Sequence, residues 1–181
     1  IYVDVPVEVP VEVHPLAGKT IQIGDLASST KALTEFRQTV IMDIASPDIH
    51  EYLDKTGLDI QIEYLQDFCG EVDIALQKIQ SYHALGVDLI QGPGWSSAIQ
   101  GSIQYMTENE ILMISTGSST PLLSIKDDML FRTTPNDFAS APAVVELWNT
   151  WGVKGVVIMY VADTWGDGLF NLISPGLDDV G

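Results

Sequence analysis

A single cysteine, Cys69, stands in a chain of 181 residues. No internal disulfide can form, and the redox compartment cannot be read from cysteine usage. Basic residues are almost as scarce, 8 Lys and Arg against 25 Asp and Glu, for a formal net charge of −17. Such a field repels phosphate backbones and anionic lipid surfaces, which argues against nucleic acid as a partner and against peripheral membrane binding. Long apolar runs are missing too, since none approaches the roughly 20 residues that a membrane-spanning helix needs. No glycine loop ends in Lys-Ser or Lys-Thr, so there is no Walker-type phosphate site. No group of His, Cys, Asp and Glu has metal-ligand spacing, and neither a metal nor a cofactor is expected. The chain begins at Ile1 rather than Met and carries no signal-peptide pattern. It is therefore expected to start inside something longer.

What is present is enough apolar material for a core, at 46% hydrophobic residues, and a length that suits one large domain or two small ones. The opening "IYVDVPVEVPVEVHP" repeats a Val-Pro/Val-Glu pattern. Pro6 and Pro10 lack amide donors, which disfavours a central strand. Residues 1–18 read as an extended spacer, with an edge strand as the other reading. A spacer ahead of a domain implies something N-terminal to it, such as a membrane anchor.

From Lys19 onward, strands and helices alternate. "TIQIGDL", "DIQIEYL", "VDLIQG", "ILMIS", "MLFRTT" and "GVVIMYV" read as six strands. Ser28, Ser29 and Thr30 offer N-caps for a helix carrying Leu33, Phe36, Val40, Ile41 and Ile44, which Pro47 is expected to break. Val72, Ala75, Leu76, Ile79 and Tyr82 mark the next helix, stopped at Gly86. Ser96 or Ser97 is expected to cap a helix with Ile99, Ile103 and Met106, and another helix carries Val144, Val145 and Leu147. "LGVDLI" and "WGVKGVVI" share one helix-Gly-Val-strand connection. The alternation predicts an α/β fold with a doubly wound parallel sheet. The polar, Pro-bearing "RTTPNDFASAP" places a domain boundary near Pro135.

In open parallel sheets, ligands sit beyond the carboxyl ends of the strands. Two successive strands end there in "GPGWSSA" (92–98) and "STGSSTP" (115–121), each pairing glycine with serines. Ser96 and Ser97 are placed to frame an anion, with Ser118 and Ser119 opposite. For either loop alone, capping and turn formation is the better reading, and two such loops on successive strands bring a polar ligand level with it. A nucleophile must also be weighed, because Gly94-Trp95-Ser96-Ser97-Ala98 is one residue from the G-x-S-x-G elbow. An elbow serine needs a histidine downstream, whereas His14, His50 and His83 all precede Ser96. His50 and His83 fall at polar helix positions expected to be solvated, no triad can be assembled from these residues, and the chain does not read as an enzyme.

These landmarks carry a resemblance. "IQIGDL", "VDLIQGPGWSSA", "ILMISTGSSTPLL", "FRTTPNDFASAP" and "VVIMYVADTWGDGL" come in the same order as in the first half of type I periplasmic or extracellular solute-binding proteins. The group it resembles is that of the branched-chain amino acid and amide importers of the ABC class. The resemblance implies a first ligand-binding lobe over 19–135, incomplete without a C-terminal return, and the start of a second, similar lobe over 136–181. It implies a clamp that closes on a small solute, with a membrane permease as partner, outside the cell or in the periplasm and tethered to the membrane. Ser96, Gly117, Ser118 and Ser119 match the positions that hold a ligand's carboxylate and amine, beside Ser97. Trp165 matches the aromatic ahead of the second-lobe Gly-x-Gly turn, Trp95 would wall the pocket, and Asp137 matches an acidic hinge position or an N-cap. Some members bridge two of these loops by a disulfide, but Trp95 takes roughly the place of a partner for Cys69. The first loop, "ASSTKAL", lacks the usual Gly-Pro-rich form. The ligand expected is a small polar molecule with a carboxylate or amide. A surface receptor or structural assembly subunit that reuses the lobe is the alternative, with a serine hydrolase behind it.

Overall fold

The computed structural model describes residues 14–28 and 30–177. Most of the Val-Pro-Glu spacer, and Ser29, lie outside the described residues. Its last residues, 15–18, form a turn, and Gly18 N–H donates to Asp59 O (2.6 Å), which ties this end to the sheet.

Five strands pair in the order β2-β1-β3-β4-β5, all parallel. They are β1 (Lys19–Ser28), β2 (Ile60–Cys69), β3 (Leu89–Gln91), β4 (Leu112–Ser115) and β5 (Leu130–Arg132). The β1–β2 ladder is the longest, running in register from Lys19 opposite Ile60 to Ser28 opposite Cys69. Between them lie α1 (Lys31–Val40), α2 (Ser46–Lys55), α3 (Val72–Ala84), α4 (Ser96–Gln100) and α5 (Ile103–Glu108). Beyond β5 come α6 (Ser140–Thr150) and α7 (Thr164–Ile173).

The two faces of β1 explain how the sheet is covered. Gly24 lets α3 come close, since a Cβ there would stand 2.6 Å from the Tyr82 ring. Tyr82 then reaches across to donate its hydroxyl proton to Leu65 O (2.7 Å). On this side Leu26, Ile79, Ile90, Ile99, Met106, Ile111 and Met113 are fully buried and form the core. Each fully buried large aliphatic contributes roughly 2 kcal/mol of transfer free energy. Strand alternation sends Asp25 to the opposite face, where it meets Arg37 of α1 in an ion pair. Gln66 donates to its other oxygen (3.1 Å).

Helix ends obey the sequence signals in most places. Thr30 caps α1, accepting from Leu33 N–H (3.2 Å). Gly57, Gly86 and Gly152 all carry positive φ at helix C-termini. In the last two, the next valine donates back to the helix in the same way, Val87 to Tyr82 O and Val153 to Trp148 O, both at 3.0 Å. This is the recurring connection expected from "LGVDLI" and "WGVKGVVI", and it is a Schellman-type stop.

Three expectations need correction. Pro47 does not break its helix. A π-helical turn, Ile41–Ala45, comes first, and Ser46 N–H bonds Ile41 O five residues back. The wider turn leaves room for a residue without an N–H, and Pro47 sits in the first turn of α2. The single helix expected after Ser96 is instead two, α4 and α5, parted at Gly101 and Ser102. The sixth strand, "GVVIMYV", does not form among the described residues. The segment is unpaired, with Val157 and Met159 88% and 91% exposed. An apolar alternation supplies strand faces, but only a neighbouring backbone makes a ladder.

Asp25 carries the clearest energetic consequence. Burial pushes its carboxyl above the ordinary range, and the Arg37 charge opposes that shift. The folded state therefore holds this proton more tightly than the unfolded chain, so the contribution of Asp25 to stability falls as pH rises through the raised range. Arg37→Met leaves the buried carboxylate unpaired and is expected to cost about 3 kcal/mol at neutral pH. The cost should shrink in acid, where Asp25 is protonated. Urea unfolding at pH 7 and pH 4 checks this, and an equal loss at both would contradict it.

Candidate functional site

The β3 and β4 strands pair side by side, with Gln91 opposite Ile114, so the loops that leave them are neighbours. Gly117 lets them touch, since a Cβ there would meet Gly94 O at 2.5 Å. Three buried hydroxyls then join the loops. Ser115 Oγ donates to Pro93 O (3.0 Å) and accepts from Ser118 N–H (3.4 Å). Ser118 Oγ and Ser96 Oγ share a hydrogen bond of 2.9 Å. A buried hydroxyl left unpaired would be costly, and none of these three is.

The start of α7 closes over this end of the sheet. Thr120, fully buried, donates to Thr164 O (3.0 Å). Ser97 Oγ accepts from Thr164 N–H (3.3 Å). Asp163 caps α7 through Oδ1, accepting from Gly166 N–H (2.8 Å). Two glycines permit the fit: a Cβ at Gly166 would stand 2.0 Å from Val161 O, and one at Gly168 2.2 Å from Thr120 Oγ1. Trp165 Nε1–H is shared between Ser119 Oγ (3.1 Å) and Asp137 Oδ2 (3.0 Å). Ser119 Oγ in turn donates to Asp137 Oδ2 (2.9 Å).

The result is an open cleft of about 280 Å³, lined by Gly94, Trp95, Ser96, Gly117, Ser119, Asp163 and Trp165. Five of the residues singled out in the sequence line it: Trp95, Ser96, Gly117, Ser119 and Trp165. Three stand behind the wall. Ser118 is spent on Ser96, Ser97 on Thr164, and Asp137 on Ser119 and Trp165. Neither Ser96 nor Ser97 caps α4, whose N-cap is Trp95. Asp137 likewise is not the N-cap of α6, which is Ala139. Sequence reasoning missed Asp163 and Thr120. The first had a signal in "DTWG", where an aspartate precedes a glycine turn at a helix start. The second had none, since its partner lies 44 residues away.

The histidines are engaged elsewhere. His50 is half-buried rather than solvated, its Nε2 accepting from Ile62 N–H (3.3 Å) while Nδ1 lies 2.8 Å from Ser46 O. His83 pairs with Asp88 at 2.6 Å. Neither bonds Ser96, and among the described residues no group of His, Cys, Asp and Glu is arranged to hold a metal ion. Cys69 is a free, buried thiol that donates weakly to Glu71 O (3.6 Å). Burial, with the nearby Asp67 charge, pushes its pKa up to about 11.

A parallel sheet whose carboxyl-edge loops meet the start of α7 around a cleft has the type I periplasmic-binding-protein architecture. The chain belongs to the family described as the receptor family ligand binding region, whose model matches residues 42–176. Among curated relatives, an uncharacterized protein of Methanocaldococcus jannaschii is 28% identical over 158 residues, 82% of this chain and 38% of its own length. Glutamate receptor 2.7 of Arabidopsis thaliana is 27% identical over 143 residues, 77% of this chain and 15% of the receptor. Among solved structures, an ABC transporter substrate-binding protein from Desulfitobacterium hafniense in complex with Leu aligns with a TM-score of 0.67 at 18% identity. That alignment covers 90% of this chain and 48% of the other. A solute-binding protein of an ABC transporter from R. palustris, in complex with 4-hydroxybenzoate, aligns with a TM-score of 0.73 at 17% identity. It covers 90% of this chain and 45% of that one. The chain thus spans less than half the length of these proteins.

The Gly168 contact makes the docking of α7 testable. Gly168→Ala should push α7 from Thr120 and break the Thr120–Thr164 bond. Amide hydrogen exchange is expected to quicken across 164–173 while β1 and β4 keep their protection. Unchanged exchange in α7 would show that the helix tolerates the added methyl.

Proposed function

We propose that the chain is the ligand-binding part of an extracellular or periplasmic solute-binding protein that captures a small polar molecule for an ABC importer. The ligand is an amino acid or amide, and the site performs no chemistry on it. One observation carries this reading: loops after β3 and β4 and the start of α7 face a common cleft, each contributing a tryptophan or a serine. Residues 19–135 act as the first lobe and 136–181 as the start of the second, with the cleft at their junction. Ser96, Ser119 and the indoles of Trp95 and Trp165 are the contacts. Ser97, Ser118 and Asp137 support them from behind. A membrane permease would receive the solute, and an anchor ahead of residue 1 would keep the protein at the membrane.

The likeness to a plant glutamate receptor gives weak support to a second reading, a surface receptor that reuses the lobe to sense rather than to deliver. Binding is common to both. They differ in the fate of the bound solute, since a receptor needs no permease.

A native mass spectrum of the full chain, set beside its denatured mass, tests the shared claim. The folded protein is expected to be heavier by one small-solute mass. A chain without added mass that gathers into higher oligomers would point instead to a structural assembly subunit. For the solute so identified, Ser119→Ala is expected to weaken binding roughly tenfold, about 1.4 kcal/mol. Calorimetry reads it, and an unchanged affinity would place the ligand elsewhere.

A further inference from the structure

We propose that the outer stripe of the helical run from Lys31 to Lys55 is a docking surface for a partner protein. The partner it fits presents an amphipathic helix whose apolar face is flanked by lysine or arginine. The inference is independent of what the cleft binds.

α1, the π turn and α2 follow one another without a break, forming a rod of about 37 Å. One side holds it to the sheet. Ile41 is buried, Arg37 turns to Asp25, and His50 Nε2 accepts from Ile62 N–H. The apolar residues of the other side are not covered. Phe36, Ile44 and Tyr52 are 64%, 58% and 65% exposed. Leu33 is exposed ahead of them, and Val40 is half-buried between Phe36 and Ile44. The π turn is what aligns them. A straight α-helix would carry Tyr52 about 160° round from Phe36, onto the opposite side. The extra residue in the π turn takes back about 100° of this, so these side chains keep to one half of the rod. A stripe at three- and four-residue steps is what another helix packs against.

Charge decides which helix. Asp48 stands in line with the stripe, four residues from both Ile44 and Tyr52, and Asp43, Glu51 and Asp54 are exposed on the same run. Lys55 is the only lysine or arginine from Ile41 onward in this run, and it is already paired with Glu51. Apolar side chains set among carboxylates in excess favour a cationic partner. They disfavour a second copy, since a two-fold contact would set these acids against themselves. Anionic lipid is repelled for the same reason.

Two synthetic helical peptides test this, sharing one leucine stripe and flanked by lysine in one and by glutamate in the other. Calorimetry on the full chain at physiological salt should show the lysine peptide binding at least tenfold tighter. Phe36→Ser with Ile44→Ser should weaken its binding at least tenfold and leave the thermal transition in place, since both side chains are exposed. Asp48→Asn with Glu51→Gln should weaken it about as much and flatten its salt dependence. Equal binding by the two peptides, or binding by neither, overturns the proposal. So does undiminished binding to the folded Phe36→Ser, Ile44→Ser protein, which would mark charge attraction over the whole acidic surface. If the chain alone dimerises in sedimentation and that same variant is monomeric, the occupant is a second copy and the proposal falls. None of these outcomes bears on the cleft.

Discussion

Thr120 is the residue on which the arrangement of the cleft depends. Its side chain is fully buried, donates to Thr164 O, and accepts from Leu122 N–H at 3.4 Å. Its carbonyl takes the Arg132 guanidinium from β5. One residue thus joins the loop after β4, the short last strand of the sheet and the first turn of α7. Gly168 completes the joint by having no side chain where Thr120 Oγ1 lies. Without this junction, Trp165 and Asp163 would be held over the serine loops only by the Thr164–Ser97 bond and the Trp165 indole bonds.

The five hydroxyls between Ser115 and Thr120 divide their labour by depth. Ser115 and Ser118 are buried and hold the two loops together, while Thr120 holds α7. Ser119 alone among them lines the cleft. A run that reads in sequence as one uniform polar stretch is therefore mostly internal carpentry. The reason is geometric: parallel strands end beside one another, and their loops must satisfy each other's buried backbone groups before any surface is left for a ligand.

Signals within one element were the ones legible in the sequence. Apolar alternation located the five strands, and glycine after a helix located the stop at Gly86. The parallel architecture came from their order. What escaped was whatever depends on a second piece of chain. "GVVIMYV" has the period of a strand but no neighbouring backbone to pair with among the described residues. Pro47 looked like a break because the compensating π-turn lies before it and has no composition of its own. Trp165 and Ser119 were singled out separately, the first through resemblance and the second from its place after a strand end. Their shared hydrogen bond to Asp137 spans 28 and 18 residues and has no local trace. Asp163 was missed because a capping aspartate reads as structural, although one of its two oxygens is left over.

Cys69 offers a last consequence. It ends β2, is fully buried, and its thiol is held well above the ordinary cysteine range. Thiolate is the reactive form, so in the folded chain this sulfur is both shielded and chemically quiet. It is also the one cysteine in the sequence. A thiol reagent therefore has a single target, and reaches it only when the core packing around the end of β2 opens. The rate of that modification is a stopwatch for the opening of this part of the core, built into the chain without any added label.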